Sequence, residues 1–229
     1  MLAGDGATTW GIGWYPSPHG PVAYAPHRDA MARAREIAAE QVKGLGILPD
    51  DMIVFACRTS EAIQFVPYER AANMLGASFG CLDGLRVDGQ RLVALTQLLR
   101  PRAILGIPCE LVLGLADINV DVRELVANVD VIAARPQARQ LLADQGIDAL
   151  LWLHAGPAVA LECPARAGAH LDPAWKPSIV GGALEIEAST ADLKGRISTG
   201  ILAELAEDSC SCGSHAPRVQ LTSLPAFAG

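Results

Sequence analysis

With 229 residues the chain is long enough for one large α/β domain or two small ones, and 51% hydrophobic against 19% charged residues excludes disorder over most of its length. Its 18 basic and 25 acidic side chains give a net charge of −7, which offers no electrostatic reason to bind nucleic acid or an anionic membrane and leaves small molecules or proteins as partners. No run approaches the roughly 18 consecutive apolar residues of a membrane span, and the Gly- and Thr-rich N-terminus lacks the basic residues of a signal peptide. A cytoplasmic protein with reduced cysteines is therefore expected.

Aromatics make up only 5% of the chain, so the core must be layered from Ala, Val, Ile and Leu. Asp29 to Val42 is Ala-rich and amphipathic, with Gly44 just beyond it, and reads as a helix. Met52 to Cys57 reads as a buried strand, Tyr68 to Leu75 as a helix ending at Gly76, and Ala77 to Leu82 as a second strand. Gly89 to Leu99 is a helix closed by Pro101, Ala103 to Ile107 a strand, Val131 to Ala134 another, and Gln137 to Gln145 a helix. This alternation predicts an α/β fold with a mainly parallel sheet, covering helices and right-handed crossovers over residues 1–147. Cys57, Cys81 and Cys109 sit singly in apolar segments and read as small buried hydrophobes.

From 148 to 229 the character changes. Leu150 to Leu153, Val159 to Glu162, Ser178 to Ala188 and Arg196 to Leu202 are separated by Gly, Pro and Asp, which predicts antiparallel strands and turns in a β-rich C-terminal part of the same domain. The alternation Leu184-Glu185-Ile186-Glu187 gives one buried and one solvated face. Residues 1 to 8 and 222 to 229 look poorly anchored.

The β-rich part carries the densest chemistry. Cys163, His170, Cys210 and Cys212 supply three thiols and an imidazole, the donor set of a closed structural zinc site. Pro164 and Gly168 mark a hairpin turn between Cys163 and His170. Cys210 and Cys212, one residue apart, face one ion from a strand or a tight turn that Gly213 lets bend. Ordinary reduced cysteines, with His170 a satisfied loop residue, fit the spacing equally well.

Gly156-Pro157-Ala158-Val159-Ala160-Leu161-Glu162-Cys163, then Gly168-Ala169-His170, Leu184-Glu185-Ile186, Gly195-Arg196, Ser198-Thr199-Gly200 and Cys210-Ser211-Cys212-Gly213 up to Val219 resemble the phenylacetate–CoA ligase branch of the adenylate-forming enzymes. The resemblance starts at Pro18 to Asp29 and implies structural zinc on Cys163, His170, Cys210 and Cys212. It also implies a carboxylate-activating scaffold that uses ATP and coenzyme A.

The ATP-handling residues are not matched. Where the family places its phosphate loop, Trp14 to Pro21 holds Pro16, Pro18 and Pro21 and no Lys, so amide donors are removed. The family's magnesium-binding acid falls at Leu153, and the acid of its upstream nucleotide element at Arg135. The ribose-binding stretch has no counterpart between Leu202 and Ser209, and the family's mobile C-terminal domain is expected to be absent. The resemblance thus implies a zinc-stabilised scaffold in which ATP and magnesium binding are doubtful. It would bind or transform an aryl or acyl carboxylate, or an activated acyl derivative, in a cleft between Ala103–Pro108 and Leu151–Pro157. Alternatives are an active adenylate-forming ligase with a rebuilt nucleotide site and a non-catalytic partner or assembly subunit. His154, at a strand end beside that cleft, is the candidate catalytic base, with His19 and Tyr15 behind it; a hydrogen-bonded structural histidine is the other reading. Trp10, Trp14 and Tyr15 are candidate anchors for a homo-oligomer or a partner subunit.

Overall fold

The computed structural model describes residues 8–188, 195–206 and 208–225. The expectations for residues 1–7 and 226–229 lie outside them. The chain first forms a small hairpin, β1 (Gly13–Tyr15) and β2 (Val22–Tyr24), and then the long helix α1 (Arg28–Gly44). An alternating half follows: β3 (Met52–Ala56), α2 (Ala62–Met74), β4 (Ser78–Leu82), α3 (Gly89–Leu99), β5 (Ala103–Ile107), α4 (Cys109–Asp117), α5 (Val122–Leu125), β6 (Val131–Ala134) and α6 (Pro136–Asp144). The remaining strands are β7 (Leu150–Ala155), β8 (Ala158–Glu162), β9 (Ala169–Leu171), β10 (Trp175–Val180), β11 (Ala183–Ala188), β12 (Arg196–Ala206) and β13 (Arg218–Leu221).

Eleven strands form one sheet in the order β10-β11-β12-β13-β9-β8-β7-β6-β5-β3-β4. The pairs among β4, β3, β5, β6 and β7 are parallel, and those from β7 through β8, β9, β13, β12, β11 and β10 are antiparallel. Strand β7 therefore belongs to both halves, and the change of character near residue 147 is a change of strand direction within one sheet.

The inner parallel strands β3, β5 and β6 are buried on both faces, which is why they read as unbroken apolar runs, while the edge strand β4 is only partly covered. On one face α1 and α2 pack Ala38, Val42, Phe65, Tyr68 and Ala71 against β3, β5 and Trp152 of β7. On the other, Leu92, Leu111, Leu115 and Leu142 from α3, α4 and α6 pack against Val54, Ile104 and Ile132. The antiparallel half has its own cluster around Leu153, Leu171, Leu184, Ile186 and Val219.

Several elements differ from the pattern in the sequence. Helix α2 begins at Ala62, ahead of Tyr68, and carries Pro67 inside it. Buried Ile63, Phe65 and Ala71 on either side hold the helix despite the missing donor. The run Ser178–Ala188 is two paired strands with a Gly181-Gly182 turn. Helix α4, with Leu111, Val112 and Leu115 buried, shows no polar periodicity because exposed Leu113 makes its outer face apolar too, and its charges, Glu110 and Asp117, stand only near the ends.

Candidate functional site

The four metal-ligand candidates converge. Antiparallel pairing places Leu161 of β8 opposite His170 of β9, so the turn through Pro164 and Gly168 returns the chain to bring His170 beside Cys163. Cys210 and Cys212 lie on a tight turn between β12 and β13, closed by the Gly213 N–H donating to the Cys210 carbonyl at 2.9 Å, with Gly213 at φ +85. The ligand atoms of Cys163, His170, Cys210 and Cys212 all lie within 4.8 Å of one another. Cys163 Sγ is 3.6 Å from Cys210 Sγ, and Cys212 Sγ is 3.3 Å from His170 Nε2. A tetrahedron with metal–ligand bonds of about 2.0–2.3 Å has edges of roughly 3.5–3.8 Å, so these spacings suit one ion of zinc size.

The surroundings hold these ligands in place. His170 Nδ1 lies 3.3 Å from the Ala216 carbonyl, so Nδ1–H donates there and Nε2 is left with a lone pair facing Cys212. Buried Arg218 donates to the Ala167 carbonyl at 2.8 Å and the Asp208 carbonyl at 2.9 Å, and also pairs with the Asp208 carboxylate, which joins the two loops. Glu162, next to Cys163, accepts from the Leu151 amide at 2.9 Å and pairs with Arg139 at 3.2 Å. Burial, then the neighbouring Cys210 and Cys212 thiols, push the Cys163 thiol up to about 12. The Cys212 amide, by contrast, holds Cys210 below its ordinary value. A divalent cation would stabilise all three thiolates at once.

A second cluster occupies the carboxyl ends of the parallel strands. Arg135, after β6, donates from Nη1 and Nη2 to Glu61 Oε1 and Oε2 at 2.8 and 2.6 Å, a bidentate pair in the interior. The Arg58 amide donates to Glu61 Oε2 at 2.9 Å, and Arg135 Nε donates to the Gly106 carbonyl at 3.3 Å. Gly106 is at φ +84 in a bulge of β5, where an added Cβ would lie 2.7 Å from Cys57 Sγ. Burial works to raise the Glu61 carboxyl, but the bonds and charge of Arg135, with the Arg58 amide, outweigh it and hold it low.

His154 lies at the end of β7 beside this pair. Its Nε2 accepts from Trp152 Nε1 at 2.9 Å. Burial, then the charge of Arg135, push the imidazole down to about 3. A base of that strength is uncharged at neutral pH and has little affinity for a substrate proton. With Arg135, Pro16, Leu153, Thr199 and Pro225 it lines a cavity of about 40 Å³. Along Ala103–Pro108 and Leu151–Pro157, where an open cleft is expected, Ala103, Ile104, Leu105 and Trp152 are fully buried, the Glu61–Arg135 pair lies at the strand ends, and Leu153, His154 and Pro157 line only small cavities. Sequence reasoning noted Arg135 as a lost acid and missed Glu61 as its partner. The spacing of 74 residues between them leaves no local signal.

The expected phosphate loop is closed on itself. Ser17 N and Gly20 N exchange hydrogen bonds with each other's carbonyls at 3.2 and 3.0 Å, the Ser17 hydroxyl donates to Gly20 O at 2.7 Å, and His19 N donates to Ser17 Oγ. Its donors are spent inside the β1–β2 hairpin. Tyr15 is buried and Trp10 stacks against Arg70 at 5.6 Å, so of the three expected anchors only Trp14 is exposed, flanked by exposed Ile12 and Val22. Cys57 is buried, and burial pushes its thiol to about 12. Cys81 and Cys109 are only half-buried and donate to Glu69 at 2.7 Å and Glu110 at 3.4 Å, so they are not simple core hydrophobes.

A further crevice runs between α1, α2 and β8, lined by Tyr24, Met31, Ile63, Pro157, Val159 and Trp175. Gln64 also lines it. Its Nε2 donates to the Gly156 carbonyl at 3.1 Å, while its buried Oε1 has no hydrogen-bond partner among the described residues. At about 60 Å³ it holds a water or the tip of an acyl chain, well short of the roughly 300 Å³ of a ligand pocket.

The fold as a whole is similar to that of solved acyl-CoA ligases. A 2-hydroxyisobutyryl-CoA ligase in its postadenylation state superposes at TM-score 0.71 with 16% identity, over 98% of this chain and 52% of that one. The ATP-bound RpMatB-BxBclM chimera gives 0.58 at 12% over 92% and 47%, and E. coli MenE bound to an analogue of OSB-AMS gives 0.55 at 12% over 92% and 47%. The chain spans about half the length of these structures, and at this identity the likeness is one of fold. No family model and no curated protein matches the sequence. No helix among the described residues is long and apolar enough to cross a membrane.

Proposed function

We propose that this chain is a zinc-stabilised scaffold of the phenylacetate–CoA ligase type that binds a small aryl or acyl compound, as a carboxylate or an activated derivative, without using ATP. The observation that carries this reading is the Glu61–Arg135 pair, which fills the carboxyl ends of the parallel strands with the protein's own charges. In open α/β sheets that end is where ligands bind. The β1–β2 loop, its amide donors already used, supports the same conclusion for the phosphates. The crevice by Gln64 is the place for the compound's apolar end, with a hydroxyl or amide donor meeting Gln64 Oε1 and the walls widening to admit the rest.

Zinc fits the donor set, its spacing and the His170–Ala216 hydrogen bond. Bound there it supplies no chemistry beyond cross-linking, because four protein ligands leave no position for substrate. A second reading, a non-catalytic partner subunit, is favoured by the exposed Ile12, Trp14 and Val22 on the hairpin. Calorimetric titration of the zinc-loaded protein with magnesium-ATP tests the main reading. No saturable heat is expected, and saturable binding would overturn it in favour of a rebuilt nucleotide site.

A further inference from the structure

We propose that the Cys163–His170–Cys210–Cys212 corner is a peroxide-responsive switch in which oxidation joins Cys163 to Cys212 and expels the metal; this rests on the zinc reading above. The corner is unevenly protected. Cys210 is 5% exposed, whereas Cys212 lies on the exposed outer side of its turn. Between the C-terminal half of α1 and the two loops lies a cleft of about 590 Å³ that reaches Cys163, His170 and Cys212, with Lys43 and Ser214 on its walls. A small oxidant therefore reaches two of the three sulfurs without any opening of the fold.

The geometry selects the product. All the ligand atoms lie within 4.8 Å of one another, so the turn needs to shift by only a few ångströms to bring a sulfur pair to the roughly 2.05 Å of a disulfide. Cys210 and Cys212 are separated by one residue, and a bridge between them closes a small strained ring. Cys163 comes from the other loop, after β8, and offers the unstrained partner. In the first step the Cys212 thiolate attacks one oxygen of hydrogen peroxide, giving a sulfenic acid and hydroxide. In the second the Cys163 thiolate attacks the Cys212 sulfur, forming the S–S bond and releasing a second hydroxide. Two electrons pass from the two thiolates to the peroxide. Only His170 and Cys210 then remain as ligands, too few to retain zinc.

The other cysteines do not compete well. Cys81 and Cys109 donate to carboxylates and stay thiols, and Cys57 is buried in the core. The consequence of release is structural, because the turn leads directly into β13, whose fully buried Val219 pairs with Ala169 of β9 in the middle of the sheet.

The test uses the full chain purified without chelator and loaded with zinc, carrying Cys81→Ser and Cys109→Ser to remove the remaining half-buried thiols. Hydrogen peroxide is added, metal release is followed with a chromogenic indicator, and the peptides are mapped unreduced by mass spectrometry. Loss of about one zinc per chain, together with a Cys163–Cys212 linked peptide and recovery of binding after dithiothreitol and zinc, is expected. Zinc retained under peroxide, or released with sulfonic acids and no linked peptide, overturns the switch. A protein that takes up no zinc before peroxide is added refutes the metal reading itself, a separate failure.

Discussion

The Glu61–Arg135 pair and the Cys163–His170–Cys210–Cys212 corner are electrostatic opposites. In the first a guanidinium and a carboxylate meet in a bidentate geometry, a backbone amide and a carbonyl take up further bonds, and no net charge remains to be met by a ligand. In the second, three thiols crowd one imidazole with their donor atoms all within 4.8 Å of one another. The first cluster closes the end of the sheet at which this fold ordinarily takes its ligand. The second, on the reading proposed above, is completed by a cation. Ionisable groups gathered in an interior therefore signal a ligand only where their charges fail to cancel.

The largest expected effect breaks the second cluster. Cys212→Ser should lose the metal, and the unfolding midpoint should fall by about 15 °C or more, because a closed zinc site contributes on the order of 10 kcal/mol and each kcal/mol moves a chain of this size by ~2–4 °C. Metal analysis alongside a thermal scan checks both. A metal-depleted protein that melts where the parent does would remove the cross-linking role.

Breaking the first cluster should cost less. Glu61→Ala leaves Arg135 buried without its partner, a loss of about 3–5 kcal/mol, or a midpoint roughly 10 °C lower. The double replacement Glu61→Leu with Arg135→Met should recover most of that loss, since apolar side chains of similar volume replace a buried pair at little cost. A double mutant as unstable as the single one would show that the bonds to Arg58 and Gly106 carry the site instead.

The two clusters were also unequally legible in the sequence. Cys163 and His170 are joined by one turn, and Cys210 and Cys212 by one residue, so short-range spacing exposed half of each contact and the resemblance joined the halves. The alternating strands and helices were legible for the same reason: Met52, Ala103 and Val131 begin short apolar runs bounded by turn residues. Glu61 and Arg135 carry no such mark. They are brought together by parallel pairing of β3, β5 and β6, a long-range contact that periodicity does not encode. Arg135 could be read only as an acid lost, and the expected cleft was drawn where its side chain now lies. Helix α4 was hidden because it is apolar between Glu110 and Asp117, and the start of α2 by Pro67.

Next in size is a pH dependence that belongs to the first cluster. Unfolded, His154 takes a proton near its ordinary 6.5, but in the fold it does so only near 3. The unfolded chain therefore binds more protons between those values, and stability is lost progressively as pH falls from about 6.5 towards 3. Glu61, held below its ordinary value, acts in the same direction at the acid end: its stabilisation is present above the ordinary carboxylate range and is lost as pH falls through its lowered value. His154→Gln, which keeps an acceptor for Trp152 and has no proton to gain, should flatten the upper part of this slope in denaturant titrations at stepped pH. An unchanged slope would assign the acid sensitivity to other groups.

The smallest effect provides the scale against which the others are judged. Asp121 caps α5 by accepting from the Arg123 and Glu124 amides at 2.8 and 3.2 Å, and it touches neither cluster. Asp121→Ala should cost about 1 kcal/mol, a midpoint shift of ~2–4 °C. Metal content and the pH slope should be unaffected, because a local cap adds independently to distant sites. If this variant also released zinc or altered the slope, the two clusters would be coupled through the whole sheet. The contrast between a self-sufficient ion pair and a corner proposed to need a cation would then have to be drawn for the domain as one cooperative unit.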